Sequence, residues 1–123
     1  MPNWCQNRVT FSGDENQIDE IRNLFSNENP FQVMIPQPPE EELSGTENTP
    51  GWYSWRLNNW GTKWDIDPNE VSFEADDANY LQIEFCTAWS PADGICKFLR
   101  DKYEDVDVIW FYDEPGMQDA GYI

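Results

Sequence analysis

The segment Asp65-Ile66-Asp67-Pro68-Asn69 spaces oxygen donors as the first half of a calcium loop does, and Asp76 falls at the twelfth position counted from Asp65. The sixth position, where such a loop turns on glycine, is Glu70. The twelfth is an aspartate, too short for the usual bidentate reach. Asp65, Asp67 and Asp76 are therefore an incomplete calcium set. Three cysteines, Cys5, Cys86 and Cys96, come without a CxxC pair. The odd number argues against a disulfide framework. Alternation puts Cys86 on the side of its strand opposite to Cys5. Cys5 and Cys96 can meet in the interior, but two thiols make an incomplete zinc site, and free buried cysteines acting as small hydrophobes are the simpler reading. The chain has no histidine, the commonest general base and metal ligand. It has no phosphate-cradling glycine loop either. A non-enzymatic protein without a cofactor is expected. The alternative is a small metal-dependent enzyme or metal-binding protein using these acids or cysteines.

Charge narrows the partners. Twenty-four acids against 7 bases give a formal charge of -17. That field repels phosphates and attracts basic surfaces. Free nucleic acid and anionic membrane are excluded as expected partners, although exposed aromatics on a sheet would otherwise suit single-stranded bases. The acids lie along the whole chain, with Glu40, Glu41 and Glu42 as one run and six acids but no base beyond Lys102. The expected partner-binding residues are the acids Glu40, Glu41, Glu42, Asp76, Asp77, Asp113 and Glu114, the last two within an acidic segment from Asp105 to Asp119 that is expected to take part as a whole. To these are added whichever aromatics of WYSWRLNNWGTKWD stay exposed, with Trp52, Tyr53 and Trp60 as candidates, since tryptophan and tyrosine anchor interfaces well. Whether the protein is a monomer or a dimer is left open.

The elements that must position these residues follow from periodicity. Trp4 to Ser12 alternates as a strand with Cys5, Asn7, Val9 and Phe11 on one face. Ser12 followed by Glu15 predicts a capped helix over about 14–26, with Ile18, Ile21, Leu24 and Phe25 as its apolar stripe. Residues 27–69 form a Trp- and Pro-rich insertion with a possible short strand at Phe31, Val33 and Ile35, and a short helix from Pro50-Gly51 to near Gly61. Val71, Phe73 and Ala75, then Leu81, Ile83, Phe85 and Thr87, predict a hairpin turning at 76–79. Ser90-Pro91 starts a second helix over about 91–103, and Val106 to Asp113 reads as a last strand.

The order β, α, insertion, β, β, α, β predicts a single α+β domain over 1–123. It is the ferredoxin-like split βαβ, a four-stranded antiparallel sheet with two helices on one face. Val108, Trp110 and Tyr112 alternate with Ile109 and Phe111, so the last strand is apolar on both faces. From this the insertion is expected to fold over the second face with its tryptophans as a lid. The N-terminal stretch MPNWCQNRV has no apolar leader core, and no apolar run has the length of a membrane span. A reduced, cytosolic protein is expected.

The blocks MPNWC, NWGTKWD, FCTAWSP and EPG, in this order and spread over nearly the whole chain, resemble the YubB-like family of small plasmid- and phage-carried proteins with a ferredoxin-like domain. The resemblance implies that fold and a mobile-element origin, and brings no catalytic residues. Small acidic accessory proteins of such elements bind host proteins, restriction and CRISPR nucleases among them. The expected function is therefore inhibition of a host nucleic-acid-handling protein by occupying its basic surface, as a DNA mimic does.

Overall fold

The protein is described by a computed structural model that covers residues 3–45 and 51–123. Met1, Pro2 and Pro50, which entered the reading of the first block and of the insertion helix, lie outside these residues.

The first strand, β1 (Trp4–Gly13), alternates as expected, with Cys5, Asn7, Val9 and Phe11 buried. Gly13 ends it at φ +147, in a conformation L side chains rarely adopt. A Cβ there would stand 2.1 Å from the Asp105 carbonyl oxygen, so only glycine passes. Helix α1 (Glu15–Phe25) follows at once. Its cap is Asp14, whose carboxylate accepts the Gln17 amide at 3.0 Å, and not Ser12, which is still in the strand. Ile18, Ile21 and Phe25 are its buried stripe.

The stretch expected as a short strand around Phe31 is a helix, α2 (Pro30–Met34). Asn29 takes a left-handed conformation and Pro30 stands at the start of the first turn, where a proline's missing N–H costs nothing. Glu40–Glu42 is a 3₁₀ turn and α3 runs Trp52–Asn59. The hairpin is β2 (Ser72–Asp77) and β3 (Tyr80–Ala88). A register shift between Phe73 and Ala75 puts Phe73 opposite Ile83 but Ala75 opposite Gln82. Simple alternation, which set Phe73 and Ala75 on one face, fails at that bulge. Helix α4 (Asp93–Lys102) starts two residues later than expected, because Ser90 turns its hydroxyl to the Gly61 carbonyl and does not cap. After β4 (Val106–Glu114) comes an unforeseen edge strand, β5 (Asp119–Tyr122), reached through a 3₁₀ turn at Pro115–Met117.

The sheet is antiparallel in the order β2-β3-β1-β4-β5. The split βαβ core is present, extended by one strand, so the four-stranded sheet with two helices is corrected to five strands and four α-helices among the described residues. The larger correction concerns the insertion. Its helices do not cover the second face: α2 packs against α1 and α4, and α3 against α4, in the one helical layer, while Trp64 reaches the margin of the second face with its ring 6.3 Å from that of Trp4. Phe85 marks the centre of that layer's core, with the rings of Phe25, Phe31 and Trp110 at 5.7, 6.2 and 5.7 Å. Trp60 extends it, edge-on to Phe31 at 6.0 Å and to Trp55 at 5.8 Å.

Polar bonds fix the insertion on this side. The Trp60 indole donates to the Ile35 carbonyl at 2.8 Å, and the Trp60 carbonyl accepts the Gly94 amide at 3.1 Å. The second face stays open, with Ile109 54% exposed. It tolerates solvent because its apolar side chains alternate across strands with charge: Arg8 pairs with Glu84 at 3.6 Å and lies 5.5 Å from the Phe111 ring, against which Tyr122 packs at 5.3 Å. Arginine's stem and flat head shield such rings without a lid.

Candidate functional site

Three separate regions hold the residues singled out from the sequence. The first is an acid-rich pole. Chain connectivity brings the start of α1, the β2–β3 turn and the α4–β4 loop to one end of the sheet, where backbone bonds lock them. Gly13 donates to the Asn79 carbonyl at 3.1 Å and Asp14 to the Asp105 carbonyl at 3.0 Å. Gln17 braces the same junction, bonding the Asp105 carboxylate and amide. Arg22 ties in the hairpin: its guanidinium bonds Asp76 at 2.6 Å, Asp19 at 3.0 Å and the Asp77 carbonyl at 2.9 Å. Asp14, Glu15, Asp19, Asp76, Asp77, Glu104, Asp105 and Asp107 are all exposed here. Of the acids named from sequence, Asp76 and Asp77 belong to this pole. Asp105 and Asp107, within the acidic segment Asp105 to Asp119 that was also expected to bind, belong to it too, whereas Asp14, Glu15, Asp19 and Glu104 were missed because they come together with the rest only through the topology.

The second region is the exposed rim of the insertion. Arg56 lies over Trp52 at 5.0 Å and Trp60 at 4.8 Å, held by Gln37 Oε1 at 2.6 Å and the Lys63 carbonyl at 3.1 Å. Desolvation lowers its pKa, offset in part by Asp65. Lys63 lies over Tyr53 and Trp64 at 5.3 and 4.8 Å. A shallow cleft of about 250 Å³ beside Glu40 is lined by Trp52, Arg56 and Trp64. Glu40, Glu41 and Glu42 are exposed on this rim, as are Trp52 and Tyr53 at 38% and 41%. Trp60 is not available to a partner, being 1% exposed, since its indole and ring are both used inside the core.

The third region lies at the opposite end of β1 from the pole. Asn7 joins the Trp110 indole to Thr87, and Thr87 donates to the Ser90 carbonyl at 2.6 Å. Near this network stand Cys5, Asp113 and Glu114. Burial, reinforced by Glu114, pushes the Cys5 thiol up to about 11. Asp113 is half-buried on β4, but Glu114 is 2% exposed, so it cannot act as surface charge.

The metal candidates are not brought together. Asp65 caps α2, accepting the amides of Phe31 and Gln32 at 2.9 Å each and that of Ile66 at 2.8 Å. Burial raises its pKa against the pull of those bonds. Asp67 caps the 3₁₀ turn at Pro68–Glu70, and Asp76 serves Arg22. Cys5 looks toward Thr87 and Glu114, whereas Cys96 lies by Arg100 and Asp93. Among the described residues no three His, Cys, Asp or Glu side chains lie so as to hold a metal ion. Nor is any helix among them long and apolar enough to cross a membrane.

Residues 62–123, which run from the end of the insertion through β5, match the family model described as the ferredoxin-like domain in Api92-like protein. The solved structure of a protein api92 from Yersinia pseudotuberculosis is similar over 99% of this chain and 93% of that chain, with a TM-score of 0.67 at 10% sequence identity. At that identity the likeness shows a shared fold. No curated protein matches the sequence.

Proposed function

The chain belongs to the family of ferredoxin-like domains in Api92-like proteins, and from that premise we propose that it is a non-enzymatic binding protein whose acid-rich pole docks on a basic surface of a host nucleic-acid-handling protein. The observation that carries this reading is the convergence of acids from three segments distant in sequence onto one end of the sheet, held in place by the bonds of Asp14, Gln17 and Arg22. Fixed carboxylates on a rigid junction present negative charge without the ordering cost a flexible acidic tail would carry. Such a surface competes with phosphates for a basic groove and speeds encounter. The blocks resembling the YubB-like family make a mobile-element origin, and with it a cytosolic host target such as a restriction or CRISPR nuclease, part of the proposal.

A second reading has its own observation. Trp52 and Tyr53 stay exposed beside Arg56 and Lys63, an arrangement suited to an interface anchor. A tagged pull-down from host lysate, washed at low and then physiological salt, separates the two. A partner released by moderate salt, and bound more slowly by the Asp77→Asn, Glu104→Gln, Asp107→Asn triple variant, supports the acid pole. A partner that resists salt and dissociates faster from Trp52→Ala supports the aromatic rim. If the triple variant binds with unchanged rate and salt slope, the acid-pole reading fails.

A further inference from the structure

Where β4 leaves the sheet for β5, a cleft of about 510 Å³ opens, lined among others by Trp89, Tyr112, Glu114, Met117 and Asp119. Its buried carboxylate is unusual. Glu114 Oε2 accepts the Met117 amide at 2.6 Å, while Oε1 is buried and has no hydrogen-bond partner among the described residues. Buried acceptors in native proteins are almost always satisfied, and an orphan asks for a donor.

The surroundings say which kind. Asp119 holds the Tyr112 hydroxyl at 3.1 Å, so a second carboxylate lines the same cleft. Trp89 sits at φ +71 and is 45% exposed. The Ser90 amide bonds the Ala88 carbonyl at 2.9 Å across it, the rare γ-turn with a positive central φ, and the Trp89 amide is tied to the Asn3 carbonyl at 2.8 Å. A bulky residue held in that conformation is strained, and such strain concentrates at binding sites. It leaves an indole beside two carboxylates.

We propose that this cleft binds a primary ammonium group, whether the head of a lysine side chain or a free alkylamine. Glu114 Oε1 and Asp119 accept its N–H bonds and the Trp89 ring lies against its charge. Acceptors and an aromatic face call for a cationic donor. A guanidinium fork is best matched by both oxygens of one carboxylate, and Glu114 and Asp119 each have one oxygen engaged already, by the Met117 amide and the Tyr112 hydroxyl. A compact ammonium, whose three donors point apart, can divide between two carboxylates. Met117, unbranched and 68% exposed, lines the cleft and can turn aside to admit it. This site stands at the other end of β1 from the acid pole and does not rest on that reading.

The test is a two-dimensional NMR titration of the ¹⁵N-labelled full chain, following the Met117 amide and the Trp89 indole. The probes are n-butylammonium chloride and Nα-acetyl-lysine methylamide, with tetramethylammonium and sodium chlorides as controls at matched ionic strength. Saturable shifts at both reporters with either N–H-bearing probe, absent with the controls, are expected. Response to both probes assigns recognition to the head group alone, and response to the lysine derivative only assigns it to a side chain in peptide context. Glu114→Gln should weaken binding at least tenfold. Asp119→Asn and Trp89→Gly, which change exposed residues, should weaken it severalfold and keep the test open if the buried variant does not fold. Equal shifts with all four salts, no shifts at all, or unchanged affinity in the variants that fold would overturn the proposal.

Discussion

Asn7 Oδ1 accepts the indole N–H of Trp110 at 2.9 Å across the β1–β4 pairing, with both residues at most 2% exposed. The amide group of Asn7 is shared among Thr87 Oγ1 at 2.9 Å, the Cys5 carbonyl at 3.2 Å and the Phe85 carbonyl at 3.4 Å. One side chain thus satisfies donors and acceptors on three strands, β1, β3 and β4, in a core where an unmatched polar group is costly. Trp110→Phe should lower stability by about 1–3 kcal/mol, and Asn7→Ala by about 2–4 kcal/mol because it also opens a cavity. Urea unfolding of the two and of the double variant should give a double-variant loss smaller than the sum. Strict additivity would show that the bond couples nothing.

Gly94 lets α4 touch the end of α3. A Cβ at position 94 would lie 2.0 Å from the Asn59 carbonyl oxygen, so Gly94→Ala must push the insertion away from α4, although alanine is the better helix former. The expected loss is about 1–3 kcal/mol, typical of overpacking. Because Trp60 is lodged at that junction, its hydrogen-exchange protection should fall more than that of Trp110. Equal protection in the variant would mean that the insertion docks independently of this contact.

The same junction explains what could and could not be read from the sequence. The strands β1, β3 and β4 and the stripe of α1 obey their periods because each buries one face against the same core. The side chosen by the insertion does not show in its own residues. It depends on the indole of Trp60 finding the Ile35 carbonyl and on Gly94 giving room, contacts between segments far apart. The double-sided apolar pattern of β4 suggested a lid, whereas Ile109 and Phe111 share an open face with Arg8 and Glu84. The strand β5 escaped notice because Asp119-Ala-Gly-Tyr122 has little β propensity. Its pairing is dictated by the turn at Pro115–Met117. The candidate site was legible in part: Asp76 and Asp77 stand at the acid pole, but Glu114, read as surface charge, is buried.

The three thiols should differ sharply in reactivity. Cys86 is exposed on the open face, while Cys5 and Cys96 are buried. Desolvation raises all three, Cys5 to about 11 from 9.0. Since the thiolate is the nucleophile, a disulfide reagent at neutral pH should modify Cys86 alone, slowly, and faster as pH rises. The other two should react only at the rate of unfolding. Rapid modification of Cys5 in the folded protein would contradict its burial.

Screening should stabilise the fold. With a charge of -17 and many acids gathered at one pole, self-repulsion opposes the compact state. Raising sodium chloride from about 0.02 to 0.5 M, which shortens the screening length several-fold, should raise the melting temperature by several degrees. Arg22→Gln removes the cation that ties Asp19, Asp76 and the Asp77 carbonyl together. It should cost about 1 kcal/mol or more at low salt, in line with networked rather than isolated surface pairs, and less at high salt. A variant whose penalty is independent of salt would assign Arg22 a packing role instead.

Asp65 sets burial against hydrogen bonding, and the pH dependence of stability decides between them. Burial raises its pKa above the ordinary 3.8, while the amides of Phe31, Gln32 and Ile66 and the charge of Arg56 pull it down. A raised value in the fold means that the native state holds the proton more tightly than the unfolded chain does. Its contribution is then complete below the unfolded pKa and is lost as pH rises through the folded one, by about 1.4 kcal/mol for each tenfold difference in proton affinity between the two states. Asp65→Asn removes the titration and one acceptor oxygen, so it should destabilise at every pH. The gap between wild type and variant should narrow from pH 3 to pH 7. Chemical denaturation across that range measures the gap directly, and the other acids cancel in the comparison. A gap that widens with pH would mean that the three amides outweigh burial, placing the folded pKa below 3.8 and making the α2 cap an anionic one throughout the physiological range.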